Sequence, residues 1–343
     1  MATATAFVVS VLGTPLLIRV LRARGIGQQI RDDGPIAHPH TTKAGTPTMG
    51  GIAIVGSMAA GYLVAHVRTE QVKFATTGVT LMALVLGLAA VGFVDDYLGV
   101  RKGRNLGLRK RGKTGGQLLV ASGFALLALK YVEVSTHLSF TRRLDLDLGM
   151  WGWGIWAVVV IMAASNGMNL ADGLDGLAAG SATLVFAAFV IVGFWQFRHP
   201  HVYGVLAAGA LDVAVVSGAL MGACAGFLWW NAAPARVFMG DTGSLALGGA
   251  MAGLALLTNT HLLLPILGGL YVLETLSVIA QVVSFRWFHR RILRMAPIHH
   301  HFEVGGWPEF TVIVRFWLFA GICVALGLGL FYADFINIPG VLD

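Results

Sequence analysis

Long apolar segments separated by short polar ones dominate the pattern of this chain. Each apolar segment is close to the roughly 20 residues that a helix needs to cross the hydrocarbon core of a bilayer. Because a backbone in lipid must satisfy its own hydrogen bonds, such segments predict helices. The pattern predicts ten membrane-spanning helices, at residues 3–21, 49–67, 74–94, 114–132, 150–166, 177–197, 204–230, 244–260, 262–286 and 309–333.

The composition agrees with this pattern. The chain has 343 residues, of which 56% are hydrophobic and only 12% are charged, whereas a soluble domain carries about 25% charged residues. We therefore predict an all-α polytopic membrane protein with a single integral membrane domain over residues 1–343. Cys224 and Cys323 both lie in apolar segments, so no disulfide framework is predicted. The stretch "STHLSFTRRLDLDLG" (135–149) alternates polar and apolar residues, which favours a small β-hairpin.

The positive charges indicate the orientation in the membrane. Most of the 24 Lys and Arg residues fall in the loops on one side, and the other side has only Arg68, Lys73, Lys130, Arg142, Arg143 and Arg198. The positive-inside rule makes the richer side cytoplasmic, so both termini are predicted outside the cell. The net charge of +7 follows from this asymmetry and does not indicate a nucleic-acid partner.

Acidic and amide side chains gather on the predicted cytoplasmic side. They lie in "GFVDDYLG", "NGMNLADGLDGLAAG" and "WWNAAPARVFMGDTGSLALGG". Carboxylates at a membrane edge are costly unless they are paired or bound to a cation, so we expect them to converge in an active site formed by cytoplasmic loops. The alternative interpretation is that these acids lie on helix ends simply because helix ends contact water. Oxygen ligands beside basic loops suit Mg²⁺ and phosphate groups, and this combination favours phosphoryl transfer. The sequence contains no P-loop motif, so it does not indicate ATP as the phosphoryl donor.

The stretch "APIHHHFE" (296–303) leaves three interpretations open: a zinc site, a solvated loop or a phosphate clamp. Neighbouring residues on a helix point about 100° apart, so three consecutive histidines cannot all bind one ion. We favour the clamp, in which one or two of His299, His300 and His301 donate to phosphate oxygens or orient an aspartate.

Six motifs together resemble a known family. "AGTPTMGG", "GFVDDY", "NLADGLDGLA", "VFMGDTGSLALGG", "ETLSVI" and "RMAPIHHHFE" occur in this order along the chain. The sequence resembles the phospho-N-acetylmuramoyl-pentapeptide transferases of the polyprenyl-phosphate N-acetylhexosamine-1-phosphate transferase superfamily. The resemblance implies a multi-pass enzyme of the bacterial plasma membrane that transfers phospho-N-acetylmuramoyl-pentapeptide from UDP to undecaprenyl phosphate. Lipid I and UMP are the products, within peptidoglycan synthesis. It further implies Mg²⁺, replaceable by Mn²⁺, and a homodimer.

The resemblance also implies site residues. The implied catalytic residues are Asp95, Asp96, Asp241 and His300, and the implied metal ligands are Asp241 and Asp175. Phe238 would stack on uracil, and Asn231, Gly176 and Leu177 would line the uridine site. The remaining implied substrate-binding residues are Lys43 and Lys113, which face the phosphates, with Asn169, Asp172, His299 and His301. The chain departs from the family at Gly99, where a lysine is common, and Arg101 or Lys102 could substitute for it.

Several alternatives stay open on the sequence alone. The transfer could proceed in one step or through a covalent aspartyl-phosphate. A sister transferase that uses UDP-N-acetylglucosamine is one rival function. A transporter of an anionic solute is the other, because Glu274 lies in the middle of an apolar segment. For Glu274 itself, a functional role and a helix-packing role are both open.

Overall fold

The computed structural model describes residues 1–27, 45–68, 72–102 and 107–338. Its helices are, in chain order, α1 (Ala2–Ala23), α2 (Gly51–Arg68), α3 (Thr76–Lys102), α4 (Lys110–Leu127), α5 (Gly149–Ala171), α6 (Leu177–Arg198), α7 (Pro200–Tyr203), α8 (Leu206–Asn231), α9 (Gly240–Leu257), α10 (Leu264–Leu267), α11 (Gly269–Phe288), α12 (Ile298–Val304) and α13 (Glu309–Ile336). A π-helical turn, Ala128–Val132, continues α4. Short helices α7, α10 and α12 alternate with the long ones.

The long helices coincide with the predicted spans. Within the described ranges, eight helices are long and apolar enough to cross a membrane: α1, α3, α4 with its π-helical turn, α5, α6, α8, α11 and α13. The two remaining predicted spans are occupied by α2 and α9, each of 18 residues. The prediction of an all-α polytopic membrane protein is therefore confirmed.

The ends of two helices differ from the prediction in a way that affects the site. Helix α3 continues to Lys102, so that Asp95 and Asp96 lie on the helix and not beyond it. Helix α9 begins at Gly240, which puts Asp241 in its first turn. Hydropathy ends a span at the first polar residue, whereas a helix continues as long as its backbone hydrogen bonds are favourable. The acidic residues predicted in loops are thus mainly on helix ends.

Helix α9 is the most enclosed helix of the bundle. All its residues from Thr242 to Leu257 are buried. Its glycines allow this close packing, because a Cβ at Gly248 would overlap the carbonyl oxygen of Ala164 on α5, and one at Gly249 would overlap the Leu88 side chain on α3. Small residues at helix contacts let backbones approach closely, which is how helices associate within a membrane.

The predicted hairpin is present. Strands β1 (His137–Ser139) and β2 (Arg143–Asp147) pair antiparallel. The Arg142 guanidinium donates two hydrogen bonds of 2.7 Å to the Asp334 carboxylate near the end of α13. The Leu262 N–H donates to the Ser139 carbonyl at 3.0 Å. The hairpin is thereby attached to two other parts of the bundle.

A buried polar cluster ties α2, α3 and α8 together. Asp212 on α8 is 2% exposed and accepts hydrogen bonds from the Tyr62 hydroxyl at 3.0 Å and the Ala75 N–H at 2.8 Å. The His66 Nε2 lies 3.0 Å from the other carboxylate oxygen. Three groups from two other segments therefore share one carboxylate, which accounts for a charged residue in an apolar helix.

We expect Asp212→Ala to destabilise the fold. The substitution leaves the Tyr62 hydroxyl, the Ala75 N–H and the His66 ring without their acceptor, and breaking a buried charged pair costs about 3–5 kcal/mol. Thermal unfolding of the purified protein in detergent should show a lower Tm. Asp145→Ala, at an exposed position of β2, is the matched control and should leave the Tm unchanged. Equal Tm values for the two variants would contradict the assignment.

Candidate active site

Three carboxylates from two helices meet at one end of the bundle. Asp95 and Asp96 lie on α3, Asp241 begins α9, and one oxygen of each lies within 4.8 Å of the others. The helices approach closely at this level because a Cβ at Gly92 would overlap the Asp241 carbonyl oxygen. Three carboxylates so close repel one another unless positive charge is present. Their hard oxygen atoms could hold a metal ion of the Mg²⁺ class.

Asp96 caps the N-terminus of α9. Its carboxylate accepts the N–H of Asp241 at 3.0 Å and the N–H of Thr242 at 2.9 Å, and also the Thr242 hydroxyl at 2.6 Å. The residue at the N-cap position, Met239, makes no side-chain cap. An aspartate from another helix therefore satisfies the first N–H groups of α9, and the helix dipole favours its negative charge there.

Asp241 is held by two of the predicted residues. Lys113, in the first turn of α4, forms an ion pair with its Oδ2. Asn169, near the end of α5, donates from Nδ2 to its Oδ1 and to the Ser244 hydroxyl at 2.8 Å. Asp95 in turn accepts the Leu108 N–H at 2.8 Å. The segments around α3, α4, α5 and α9 thus converge on the same carboxylates.

The turn between α5 and α6 adds two further acids. Burial by surrounding protein raises the pKa of Asp172 well above its ordinary value, and the charges of Asp241 and Asp96 raise it further. Asp175 is 3% exposed, accepts the Ala235 N–H at 2.8 Å and is not among the three acids that could share one ion. The turn therefore adds carboxyl groups beside Asp95, Asp96 and Asp241, and a bound cation would offset the repulsion among them.

Two of the residues implied for the uridine site have structural duties. Gly176 precedes α6 with φ +80°, a backbone conformation that favours glycine. A Cβ there would also lie 2.9 Å from the Leu228 side chain on α8. The Leu177 side chain is fully buried in a small apolar cluster, and its carbonyl accepts the Trp317 indole N–H at 3.3 Å. Leu177 as a whole residue has no exposed surface, so its role in this structure is packing.

The other two residues implied for the uridine site, Asn231 and Phe238, lie at the end of α8 and in the segment before α9. Asn231 is 2% exposed and donates from Nδ2 to the Val237 carbonyl at 2.9 Å. Its Oδ1 has no hydrogen-bond partner among the described residues. Phe238 is partly exposed, and its backbone pairs with the Pro47 carbonyl and the Gly50 N–H, each at 2.8 Å. The segment before α2 is thereby joined to the segment before α9. Lys43 lies outside the described residues.

The three histidines lie on the short helix α12, where each has a different carboxylate or backbone partner. The His299 Nδ1 is 3.0 Å from Glu274, and the His300 Nδ1 is 2.7 Å from Glu303. The His301 Nδ1 accepts the Arg294 N–H at 3.0 Å. Their Nδ1 atoms therefore have three separate partners, whereas the Nε2 atoms of His299 and His300 both lie beside Gly173. Among the described residues, the metal-capable group contains aspartates and no histidine.

Gly173 connects α12 with the acidic turn. A Cβ at this position would overlap the His299 Nε2 and would lie 3.3 Å from the His300 Nε2. Both histidines therefore pack against the turn that carries Asp172 and Asp175. The implied residues Asp95, Asp96, Asp241, Lys113 and Asn169 form the centre of the site, and Asp172, His299 and His300 lie beside it.

Sequence reasoning missed several contributors to the site. Thr242 and Ser244 lie one and three residues after Asp241, so the motif "GDTGS" was the signal that could have identified them. The partnership of Glu274 with His299 had no local signal, since the two residues are far apart in the chain. The capping role of Asp96 was likewise invisible, because its partners lie 145 and 146 positions away.

Comparison with known proteins identifies the family. The model of glycosyl transferase family 4 matches residues 76–259, and phospho-N-acetylmuramoyl-pentapeptide-transferase signature 1 matches residues 43–55. The proteins named phospho-N-acetylmuramoyl-pentapeptide-transferase from Frankia casuarinae and Frankia alni are each 51% identical. Their alignments cover 99% and 98% of this chain and 98% and 97% of the relatives. The protein of that name from Saccharopolyspora erythraea is 49% identical, over 98% of this chain and 96% of the relative. The chain therefore belongs to the phospho-N-acetylmuramoyl-pentapeptide-transferase family.

Proposed function

We propose that this bacterial membrane transferase moves phospho-N-acetylmuramoyl-pentapeptide from UDP to undecaprenyl phosphate, with Mg²⁺ as cofactor, for peptidoglycan synthesis. An oxygen of the acceptor phosphate forms a bond to the sugar-side phosphorus of the donor diphosphate. The bond from that phosphorus to the bridging oxygen breaks, and UMP leaves with the bond electrons. The observation that carries the proposal is the cluster of Asp95, Asp96 and Asp241 with Lys113 at one end of a helix bundle.

The location of the cluster suits these two substrates. The acceptor is a membrane lipid, and the donor comes from water, so the chemistry belongs where helices meet solvent. The side chains of Lys113 and Asp241 retain 22% and 18% exposure. A transporter would need its charged groups near the middle of the bundle. The full-length relatives are named phospho-N-acetylmuramoyl-pentapeptide-transferases, and this favours that transfer over both rival functions.

The hydrogen bonds suggest a division of labour among the acids. Asp96 has both oxygens engaged at the start of α9, which makes it a holder of Asp241. Asp95 accepts one backbone N–H, from Leu108, and is the better candidate to orient the acceptor phosphate. That phosphate is largely dianionic at pH 7, so it needs positioning more than deprotonation. A direct transfer and a covalent aspartyl-phosphate both fit this division.

The donor set fits a magnesium ion. Asp241 would hold it, with Asp95 and Asp96 as the neighbouring carboxylates, and bound Mg²⁺ supplies charge that neutralises the diphosphate. Lys113 and Asn169 orient Asp241 for this purpose. Asp175 instead holds the segment leading to Phe238 through the Ala235 N–H, which makes it a support of the uridine site.

The nucleotide and phosphate contacts follow from the same surroundings. Phe238 would stack on uracil, and the Asn231 Oδ1, which lacks a partner within the described chain, would accept a hydrogen bond from the nucleoside. Lys43 and Lys113 would face the diphosphate. His300 retains some exposure beside the acidic turn and would donate to a phosphate oxygen, whereas His301 holds the backbone of Arg294.

We further propose that the site faces the cytoplasm. Exposed basic residues such as Lys110, Arg111, Arg290 and Arg291 lie at the end of the bundle that carries the acids. The positive-inside rule assigns such an end to the cytoplasm. The β-hairpin and Asp334 would then face outward, together with both chain termini.

The substrate assay is the direct test of the function. Purified protein in detergent should form lipid-linked product and UMP from undecaprenyl phosphate and UDP-N-acetylmuramoyl-pentapeptide with Mg²⁺ or Mn²⁺. Removal of the metal with a chelator should abolish turnover, and zinc should not restore it, because the donors are hard oxygens. UDP-N-acetylglucosamine should be a far poorer donor. Equal use of the two donors would assign the chain to the sister function.

Single substitutions of the acids should separate chemistry from folding. We expect Asp241→Asn and Asp96→Asn to lower kcat at least about 100-fold, a barrier increase of about 2.7 kcal/mol. The first loses a metal ligand, and the second puts an amide against the N–H groups of α9. Asp145→Asn, at an exposed hairpin position, should retain full activity. An Asp241→Asn protein that folds and keeps normal Mg²⁺-dependent turnover would refute the metal assignment.

Cysteine labelling tests the orientation. In a chain whose Cys224 and Cys323 are replaced by alanine, Arg291→Cys should react with a membrane-impermeant maleimide only from the cytoplasmic side. Arg143→Cys should react only from outside, because the two exposed positions lie at opposite ends of the bundle. Labelling of Arg291→Cys in intact cells would invert the proposed topology.

A further inference from the structure

A buried glutamate lies next to the histidine helix. Glu274, on the apolar helix α11, has no exposed side-chain surface, and its Oε2 lies 3.0 Å from the equally buried His299 Nδ1. The Ser277 hydroxyl donates to the Glu274 carbonyl at 2.6 Å and accepts the Ile298 N–H at 3.0 Å. An uncompensated carboxylate in such a place costs several kcal/mol. Its histidine neighbour is therefore the partner that makes it tolerable.

The opposite side of the same imidazole faces the acidic turn. The His299 Nε2 contacts Gly173, where a Cβ would overlap it. Among the described residues, neither ring nitrogen of His299 and neither carboxylate oxygen of Glu274 has a hydrogen-bond partner, so the close Glu274–His299 contact is the interaction that holds both groups. Gly173 lies between Asp172 and Asp175. The buried ring therefore spans the space from α11 to the turn whose side chains belong to the site.

A second carboxylate–histidine pair stands beside the first. His300 pairs with Glu303 through Nδ1 at 2.7 Å, and its Nε2 also faces Gly173. The ring centroids of His299 and His300 are 4.2 Å apart. The difference is in exposure, since the His299 side chain has none and that of His300 has 10%. His300 can reach a ligand, whereas His299 can act only through its neighbours.

We propose that Glu274 is a positioning residue of the transferase site, acting through His299 on the Gly173 turn and on His300. The Glu274 Oε2 lies 3.0 Å from the His299 Nδ1, and this contact with a buried carboxylate favours the Nδ1–H tautomer and restrains the ring. The fixed ring supports the turn that carries Asp172 and packs at a tilt of 58° against His300, the proposed phosphate contact. This inference rests on the proposed function for its effect on turnover, but the coupling itself can be measured without substrate.

The kinetic test uses substitutions of Glu274 that distinguish the effect of its carboxylate oxygens from the effect of its side-chain volume. Glu274→Leu removes the acceptor at similar size and should lower kcat about 10- to 100-fold, with KM for both substrates little changed, because ground-state binding groups remain. Glu274→Gln keeps an acceptor oxygen and should stay within about threefold of the parent. Thr275→Val is the matched control, because this neighbouring hydroxyl donates to the Tyr271 carbonyl of its own helix. It should leave turnover unchanged.

Two further measurements exclude a merely structural role. The Tm of the double variant Glu274→Leu/His299→Leu should equal or exceed that of the parent, since replacing both members of a buried pair by apolar groups is often neutral or stabilising. Activity and stability would then change independently. The double variant Glu274→Leu/His299→Leu should lose no more activity than the less active of the two single variants, because Glu274 acts through His299. Additive losses, or a loss of kcat that follows a loss of Tm, would overturn the proposal.

Histidine-selective ¹⁵N NMR provides the readout without substrate. Glu274→Leu should change the ring signals of both His299 and His300, assigned through His299→Gln and His300→Gln, while Thr275→Val changes neither. An unaltered His300 signal would refute the coupling even if turnover fell. A parent protein that shows the coupling but makes no lipid product would refute the proposed function alone. If Glu274→Leu does not fold, a Glu274→Gln protein whose kcat has fallen at least tenfold refutes the acceptor role, and one near the parent upholds it.

Discussion

The carboxylate of Asp96 at the N-terminus of α9 is the contact on which the geometry of the site depends. It joins α3 to α9 through two backbone N–H groups and one hydroxyl. By doing so it places Asp241 beside Asp95. Helix α9 has no side-chain cap at its own N-cap residue, so Asp96 supplies the acceptor for the N–H groups of Asp241 and Thr242. Asp96, which the motif "GFVDDY" predicts to be catalytic, therefore also holds the two helices together.

The close approach of helices makes this contact possible. Glycines on α3 and α9 let their backbones meet, as at Gly92, whose missing side chain leaves room for the Asp241 carbonyl. Two groups of buried polar side chains are shared between helices. Asp212 joins three segments away from the site, and Lys113 and Asn169 join two more at the site. In an apolar bundle, such shared polar groups specify which helices pair.

The three consecutive histidines show how neighbours in sequence can serve different ends. His299 is buried against Glu274, His300 pairs with Glu303 at the edge of the site, and His301 supports the backbone of Arg294. Their Nδ1 atoms have separate partners, and the metal-capable group among the described residues contains no histidine. His299 lies between Glu274 on α11 and the turn at Gly173. It thereby gives Glu274 a polar neighbour, which the apolar helix α11 does not itself provide.

The sequence by itself determined the membrane class, the ten apolar segments, the hairpin and the family, because hydropathy, alternation and ordered motifs are local properties. It also indicated that Asp95, Asp96 and Asp241 belong together. Only the tertiary structure decided how they meet: that Asp96 caps α9, that Asp175 lies apart from the metal-capable group, and that Leu177 is fully buried. The roles of Glu274 and Gly173 emerged in the same way. These depend on contacts between residues far apart in the chain, where the packing of whole helices, and not local spacing, brings atoms within hydrogen-bonding distance.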